Sequence, residues 1–191
     1  MEHSIFAMEL CFRLEPGSAL RDTLDRLVRN HPATSSASQK WTLYRDVRKT
    51  LATHIQSAVS GCWDYFDSDQ KALDDYETWT QSMVTREGAR KAPSGPPVAY
   101  VDTGRFLTFT MCFLIENGAP SERDVFRLCD IPEDRLWRRE TFATMLRALG
   151  VLSFASVRSD VVYLIPGDAS WALTADDLQD PKFHYLRPLV D

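Results

Sequence analysis

An α+β fold is what this sequence predicts: a small sheet of three or four strands packed on long helices, built from a pseudo-duplicated strand–turn–helix unit. Three observations predict it. Cys11-Phe12-Arg13-Leu14-Glu15-Pro16-Gly17 returns later in the chain as Cys112-Phe113-Leu114-Ile115-Glu116-Asn117-Gly118. The alternation upstream agrees in register, with Met8, Leu10, Phe12 and Leu14 answering Phe109, Met111, Phe113 and Ile115. Strands and helical stretches are interleaved, but the strands are too few for a doubly wound sheet.

Residues 4–14 alternate apolar and polar as a half-buried strand does. Pro16-Gly17 turns the chain and Ser18 can cap a helix through Leu20, Leu24 and Leu27, which His31-Pro32 ends. Tyr44, Val47, Leu51, Ile55, Val59, Cys62 and Phe66 step by three and four, predicting one long amphipathic helix over 38–66. A further helix over 70–90 carries Leu73, Tyr76, Trp79 and Met83 at helical spacing. Pro93, Pro96 and Pro97 make 91–98 a linker, since proline excludes helix and favours extended backbone. The second strand, 105–115, is apolar on both faces except at Thr108 and Thr110, as a central covered strand is. Pro120 starts a helix through Val125 and Cys129, another runs from Arg139 to Leu149, and Gly150 stops it. Val161 to Ile165 is a third strand, and Thr174-x-x-Asp177 a capping box for a last helical turn. Residues 1–191 are therefore read as one domain in two halves, about 1–90 and 100–191, joined at 91–98.

The net charge of −5 offers no field that attracts nucleic acid or an anionic membrane. Arg123, Arg127, Arg135, Arg138, Arg139 and Arg147 are offset by Glu122, Asp124, Asp130, Glu133, Asp134 and Glu140, so no basic reading face is predicted there. Cys11, Cys62, Cys112 and Cys129 show no C-x-x-C spacing and read as buried thiols of a reducing compartment. No stretch is long and apolar enough for a membrane span and the first residues lack a secretion profile, so a cytoplasmic protein is expected.

One series in the second half carries a family resemblance. It runs from Arg105–Met111 through Met145-Leu146-Arg147-Ala148-Leu149-Gly150 to Val161–Pro166, then Leu173-Thr174-Ala175-Asp176-Asp177-Leu178, Pro181 and Leu186-Arg187-Pro188-Leu189. It resembles the family catalogued as domain of unknown function 1517. That resemblance implies the architecture above and an accessory or regulatory role, and brings no catalytic residue or cofactor. The run Val161-Val162-Tyr163-Leu164-Ile165 departs from the family, whose members tend to carry a glutamate and a tryptophan there.

No catalytic, cofactor-binding or metal-binding residue is assigned, because no glycine-rich phosphate loop, nucleophile elbow or ligand spacing of histidines occurs. Glu15 and Glu116 are the one candidate pair: brought together about a pseudo-twofold axis in a pocket between the halves, they would share a proton or a metal in an enzyme or ligand binder. The plainer expectation leaves each solvated at its strand end. The leading expectation is a non-catalytic protein acting through a protein partner or self-association. Its contact residues would be Trp63, Tyr65, Tyr76 and Trp79, at the junction of the two long helices, with Trp137, Arg138 and Arg139 as a second patch.

Overall fold

The computed structural model describes residues 2–31, 36–85, 105–167 and 172–191. In chain order these form β1 (His3–Leu14), α1 (Leu20–Arg29), α2 (Ala37–Thr53), β2 (Ala58–Phe66), α3 (Asp69–Thr85), β3 (Arg105–Glu116), α4 (Pro120–Cys129), α5 (Arg139–Ala148), β4 (Val157–Ile165) and β5 (Arg187–Pro188). The strands make one antiparallel sheet in the order β4-β3-β1-β2-β5, so the fold is α+β.

The centre of the sheet is the pair β1–β3, in register from His3↔Glu116 to Leu14↔Arg105. Side chains alternate across a strand, and here both faces are covered. Phe6, Met8, Leu10 and Phe12 join Leu107, Phe109, Met111 and Phe113 in the main core on one face. That core also holds Leu20 and Leu24 of α1, Tyr44, Val47 and Leu51 of α2, Val125 of α4, and Phe142 and Leu146 of α5. The other face carries Ile5, Ala7, Cys112 and Leu114 under Ala72, Tyr76 and Trp79 of α3. Beside them Cys11 and Phe106 lie under Leu173 and Phe183 of the C-terminal segment. Four helices, a sheet, and a thinner layer of α3 with the chain end are the three layers.

Each central strand leaves through a tight turn whose glycine, Gly17 (φ 75°) or Gly118 (φ 80°), sits in the left-handed region that other residues occupy only at a cost. Ser18 Oγ accepts from the N–H of Leu20 at 3.2 Å as α1 begins. The α2 start is held by a reciprocal capping box between Ser36 and Gln39. Arg48 of α2 donates to the carbonyls of Leu146 (3.2 Å) and Arg147 (2.8 Å), closing the C-terminal end of α5. Thr174 and Asp177 form the expected box, with the Thr174 N–H 2.7 Å from Asp177 Oδ2 and the Asp177 N–H 3.1 Å from Thr174 Oγ1.

The long helix expected over 38–66 is corrected. The helix ends at Thr53, a single 3-10 turn covers Ile55–Ser57, and Ala58–Phe66 is a strand. The sheet accordingly has five strands, not three or four. The helical stripe is real as far as Ile55, and beyond it Val59, Cys62 and Phe66 keep the period by coincidence. What decides the matter is Gly61, which weakens a helix interior by about 1 kcal/mol, followed by Trp63 and Tyr65 on one side and Cys62, Asp64 and Phe66 on the other. The helix expected over 70–90 is observed as Asp69–Thr85, and the linker 91–98 lies outside the described residues.

Gly61 is also where α5 meets the sheet. A Cβ there would stand 3.0 Å from the Glu9 carbonyl oxygen, 3.0 Å from Leu10 Cδ2 and 3.0 Å from Phe142 Cε1. One of these neighbours is backbone and cannot swing away. Gly61→Ala is expected to destabilise the protein by about 1–3 kcal/mol through overpacking, read as a lower urea midpoint; an unchanged midpoint contradicts the close packing of β2 under α5.

Candidate functional site

Trp63 and Tyr65 project from β2 toward the helical face, where α4 and the loop before α5 stop short of covering them. The result is a groove of about 430 Å³ lined by Trp63, Asp64, Tyr65, Phe126, Cys129, Asp130, Leu136 and Trp137. Phe126 on α4 is 51% exposed, and its ring stands at a steep angle to that of Tyr65, centroids 6.0 Å apart. Tyr65 is held by its hydroxyl, which donates to Glu122 Oε1 at 2.6 Å. Burial first and that bond second push the Tyr65 hydroxyl above its ordinary range. The enclosed indole N–H of Trp63 reaches no acceptor among the described residues. Two of the lining residues are acidic, Asp64 and Asp130, and none is basic; the Asp64 side chain points to the opposite face of β2. Burial and the neighbouring Asp75 push the Asp64 carboxyl up.

The expected contact set is therefore divided. Trp63, Tyr65 and Trp137 share this groove, whereas Tyr76 and Trp79 lie on α3 against the opposite face of the sheet. The cause is the strand at 58–66: Trp63 and Tyr65 occupy a sheet face and no helix junction exists to gather the four. Tyr76 donates to Ser159 Oγ at 2.6 Å, and Trp79 stacks edge-on against Tyr185. Arg139 turns inward, its Nε donating to the Ala58 carbonyl at 2.9 Å and its Nη1 meeting Asp191. Arg138 is exposed and lines a second, more polar cavity of about 550 Å³ with Asp130, Asp134, Arg135 and Glu140.

Glu15 and Glu116 do not meet. Glu15 follows the end of β1 and is exposed; Glu116 ends β3 opposite His3, 3.5 Å from Arg158 Nη1. Antiparallel pairing sends the ends of the two copies apart, roughly 35–40 Å over the length of a twelve-residue strand.

Two buried carboxylates that sequence reasoning missed are more heavily bonded. Asp160 of β4, with a fully enclosed side chain, accepts from His31 Nε2 at 2.7 Å and Tyr44 Oη at 2.9 Å, and is paired with Lys40. Burial alone would raise this carboxyl, but the bonds from His31, Lys40 and Tyr44 outweigh it and hold the carboxyl below its ordinary range. Burial and the adjacent Asp160 push the Tyr44 phenol well up. Glu9, fully buried at the centre of the sheet, accepts from Tyr185 Oη at 2.8 Å. Neither carboxylate lines either cavity. Chemically they act as ties: Asp160 fastens the α1 end and α2 to the edge strand, and Glu9 fastens the chain end to the sheet. The only sequence signal for Glu9 was a charge inside an otherwise apolar strand. For Asp160 there was none, since its partners come from two segments more than a hundred residues away, the end of α1 and α2.

All four cysteines are free thiols, with Cys11, Cys62 and Cys112 buried and Cys129 partly so. Burial pushes Cys11 and Cys129 up to about 12 and Cys62 and Cys112 well above their ordinary value. Among the described residues no cluster of three or more His, Cys, Asp or Glu side chains is placed to hold a metal, and no helix is long and apolar enough to cross a membrane. No family model matches the chain, and no curated protein or solved structure does either. The likeness drawn from the sequence rests on the quoted residues alone.

The Asp160 cluster sets a pH expectation. A carboxyl depressed in the folded state contributes stability in full above its unfolded value, near 3.9, and loses it as the pH falls through the folded value. Asp160→Asn is expected to cost about 2–4 kcal/mol at pH 7, because Lys40 loses a buried counter-charge and His31 and Tyr44 lose a charged hydrogen-bond partner. The gap from the parent should shrink on acidification from pH 5 toward pH 2, followed by urea unfolding; a gap that does not depend on pH contradicts the ionised cluster. For the thiols, the reactive species is the thiolate. A maleimide at pH 8 should modify Cys129 first and slowly, and the other three only on unfolding, as read by mass spectrometry.

Proposed function

We propose that this chain is a pseudo-duplicated α+β scaffold that works by binding a partner protein, with the aromatic groove beside β2 as the contact surface. The two units, β1 to β2 and β3 to β4, each run strand, two helices, strand, and meet across the pair Glu9↔Thr110, which are equivalent positions of the two copies. That arrangement supports the duplication. One observation carries the binding role: Phe126, half exposed at the rim of a groove floored by Trp63, Tyr65 and Trp137. Aromatic side chains set in a partly enclosed hollow are the usual anchors of protein interfaces, and an aromatic rim left in water is a cost that a partner removes. A catalytic role draws on no comparable feature among the described residues, since Glu15 and Glu116 stand apart and Glu9 and Asp160 line neither of these two cavities. The accessory role implied by the resemblance to domain 1517 is compatible with this reading and does not carry it.

The test is site-specific photo-crosslinking in the native cell, with a benzophenone amino acid at Phe126 and, as a control, at Val151, which is 54% exposed and outside the groove. A discrete protein adduct is expected from position 126 and not from 151. Equal adducts at both, or none at 126, overturn the groove as the contact surface.

A further inference from the structure

The outer edge of β2 is only half occupied. β5 pairs with Ser60 and Gly61, and the N–H of Leu189 reaches the Val59 carbonyl at 3.0 Å. Beyond Gly61 the chain end leaves the edge, because Tyr185 passes under the sheet to Glu9. Among the described residues no strand pairs with Cys62–Phe66 on that side. Backbone groups on a strand point alternately to its two neighbours. With Val59 facing outward, Gly61, Trp63 and Tyr65 face outward as well. The N–H of Tyr65 confirms this parity: it is bonded at 3.1 Å by the side chain of its own neighbour Asp64, a local stopgap on an open edge.

We propose, resting on the partner-binding reading above, that the partner enters as an extended, cationic segment that adds a strand to β2 at Cys62–Phe66. An added strand lies about 4.8 Å outside β2 and sends alternate side chains to the two faces of the sheet. On the helical face they enter the groove over Trp63, Tyr65 and Phe126, where Asp130 is the carboxylate available to a Lys or Arg. On the other face the next side chains meet Asp64, whose carboxyl already lies beside Asp75. Lys71 approaches this end, but it is engaged with the Phe66 ring at 3.5 Å and with Asp75 at 3.4 Å. Acidic groups on both faces of one open edge select a basic strand over an acidic one, and a second copy of this chain offers only the same acidic edge.

The experiment selects random peptides of about twelve residues displayed on phage against the full chain, and then synthesises the enriched sequences. The expected winners carry Lys or Arg alternating with apolar residues, and bind Phe126→Asp at least about tenfold more weakly. Each is then N-methylated at alternate positions in two registers. The register facing β2 should lose about tenfold per bond removed, and the other register should lose little. Peptides that need Phe126 but ignore both methylation registers, or carry no cation, overturn strand addition while leaving the groove as a binding surface. Enriched peptides indifferent to Phe126→Asp, or no enrichment, overturn both. A concentration-dependent dimer in sedimentation that Phe126→Asp abolishes overturns the cationic peptide in favour of a second copy.

Discussion

The antiparallel pairing of β1 with β3 runs the whole length of both strands, and almost every side chain on either strand is buried. Twelve register pairs leave no freedom to slip by one residue without turning Phe6, Met8, Leu10 and Phe12 to the wrong face. Four helices can then share one continuous apolar surface. Because the pair is central, β2 and β4 become the outer strands, and each is reached only after two helices have crossed the same face. The helical layer is thick and the opposite layer thin. On the thin side a single helix and the chain end cover the sheet, and the polar groups placed there, Glu9, Thr108 and Thr110, lie under little more than Trp79, Tyr185 and their neighbours.

Where the amino-acid pattern was local and unopposed, it was legible. Alternation marked β1 and β3, the Gly17 and Gly118 turns followed from the repeat, and Thr174 with Asp177 marked the late cap. The stretch 58–66 was not legible by period, because Val59, Cys62 and Phe66 happen to extend the stripe of α2. Gly61 and the alternating Trp63 and Tyr65 were the opposing signals, and tertiary pairing with Ile5–Phe12 gave them the decision. That one segment changed the strand number and separated Trp63 and Tyr65 from Tyr76 and Trp79. The Asp160 cluster was not legible at all: His31, Lys40, Tyr44 and Asp160 become neighbours only once β4 is at the edge of the sheet and α1 and α2 lie over it.

The failure of Glu15 and Glu116 as a pair has a general physical reason. When two copies of a strand pair antiparallel, equivalent residues coincide only at the dyad, and separate by about two residue rises for each step away from it. Here matching positions of the two similar segments meet at Glu9 and Thr110, a carboxylate in one and a hydroxyl in the other. Repeated residues at the strand ends are placed at opposite poles, where each serves its own turn and helix start.

The same bookkeeping locates where the two similar units differ. Met8↔Trp63 in the first unit stands in the place of Phe109↔Leu164 in the second, and Ala7↔Asp64 in the place of Thr108↔Ile165. In the second unit both outer-strand residues are buried apolar side chains, and His31, Lys40 and Tyr44 gather on the Asp160 side chain of the edge strand. In the first unit the corresponding residues are a partly buried tryptophan and a carboxylate, set beside an edge that β5 covers for only two residues. Among the described residues neither β4 nor Cys62–Phe66 of β2 is paired on its outer side, and an open edge with exposed aromatic neighbours invites pairing. The first unit differs in combining that edge with an aromatic hollow on one face, a carboxylate on the other, and a stretch, Cys62–Phe66, that no strand among the described residues pairs on its outer side. Those are the requirements for recognising an extended chain.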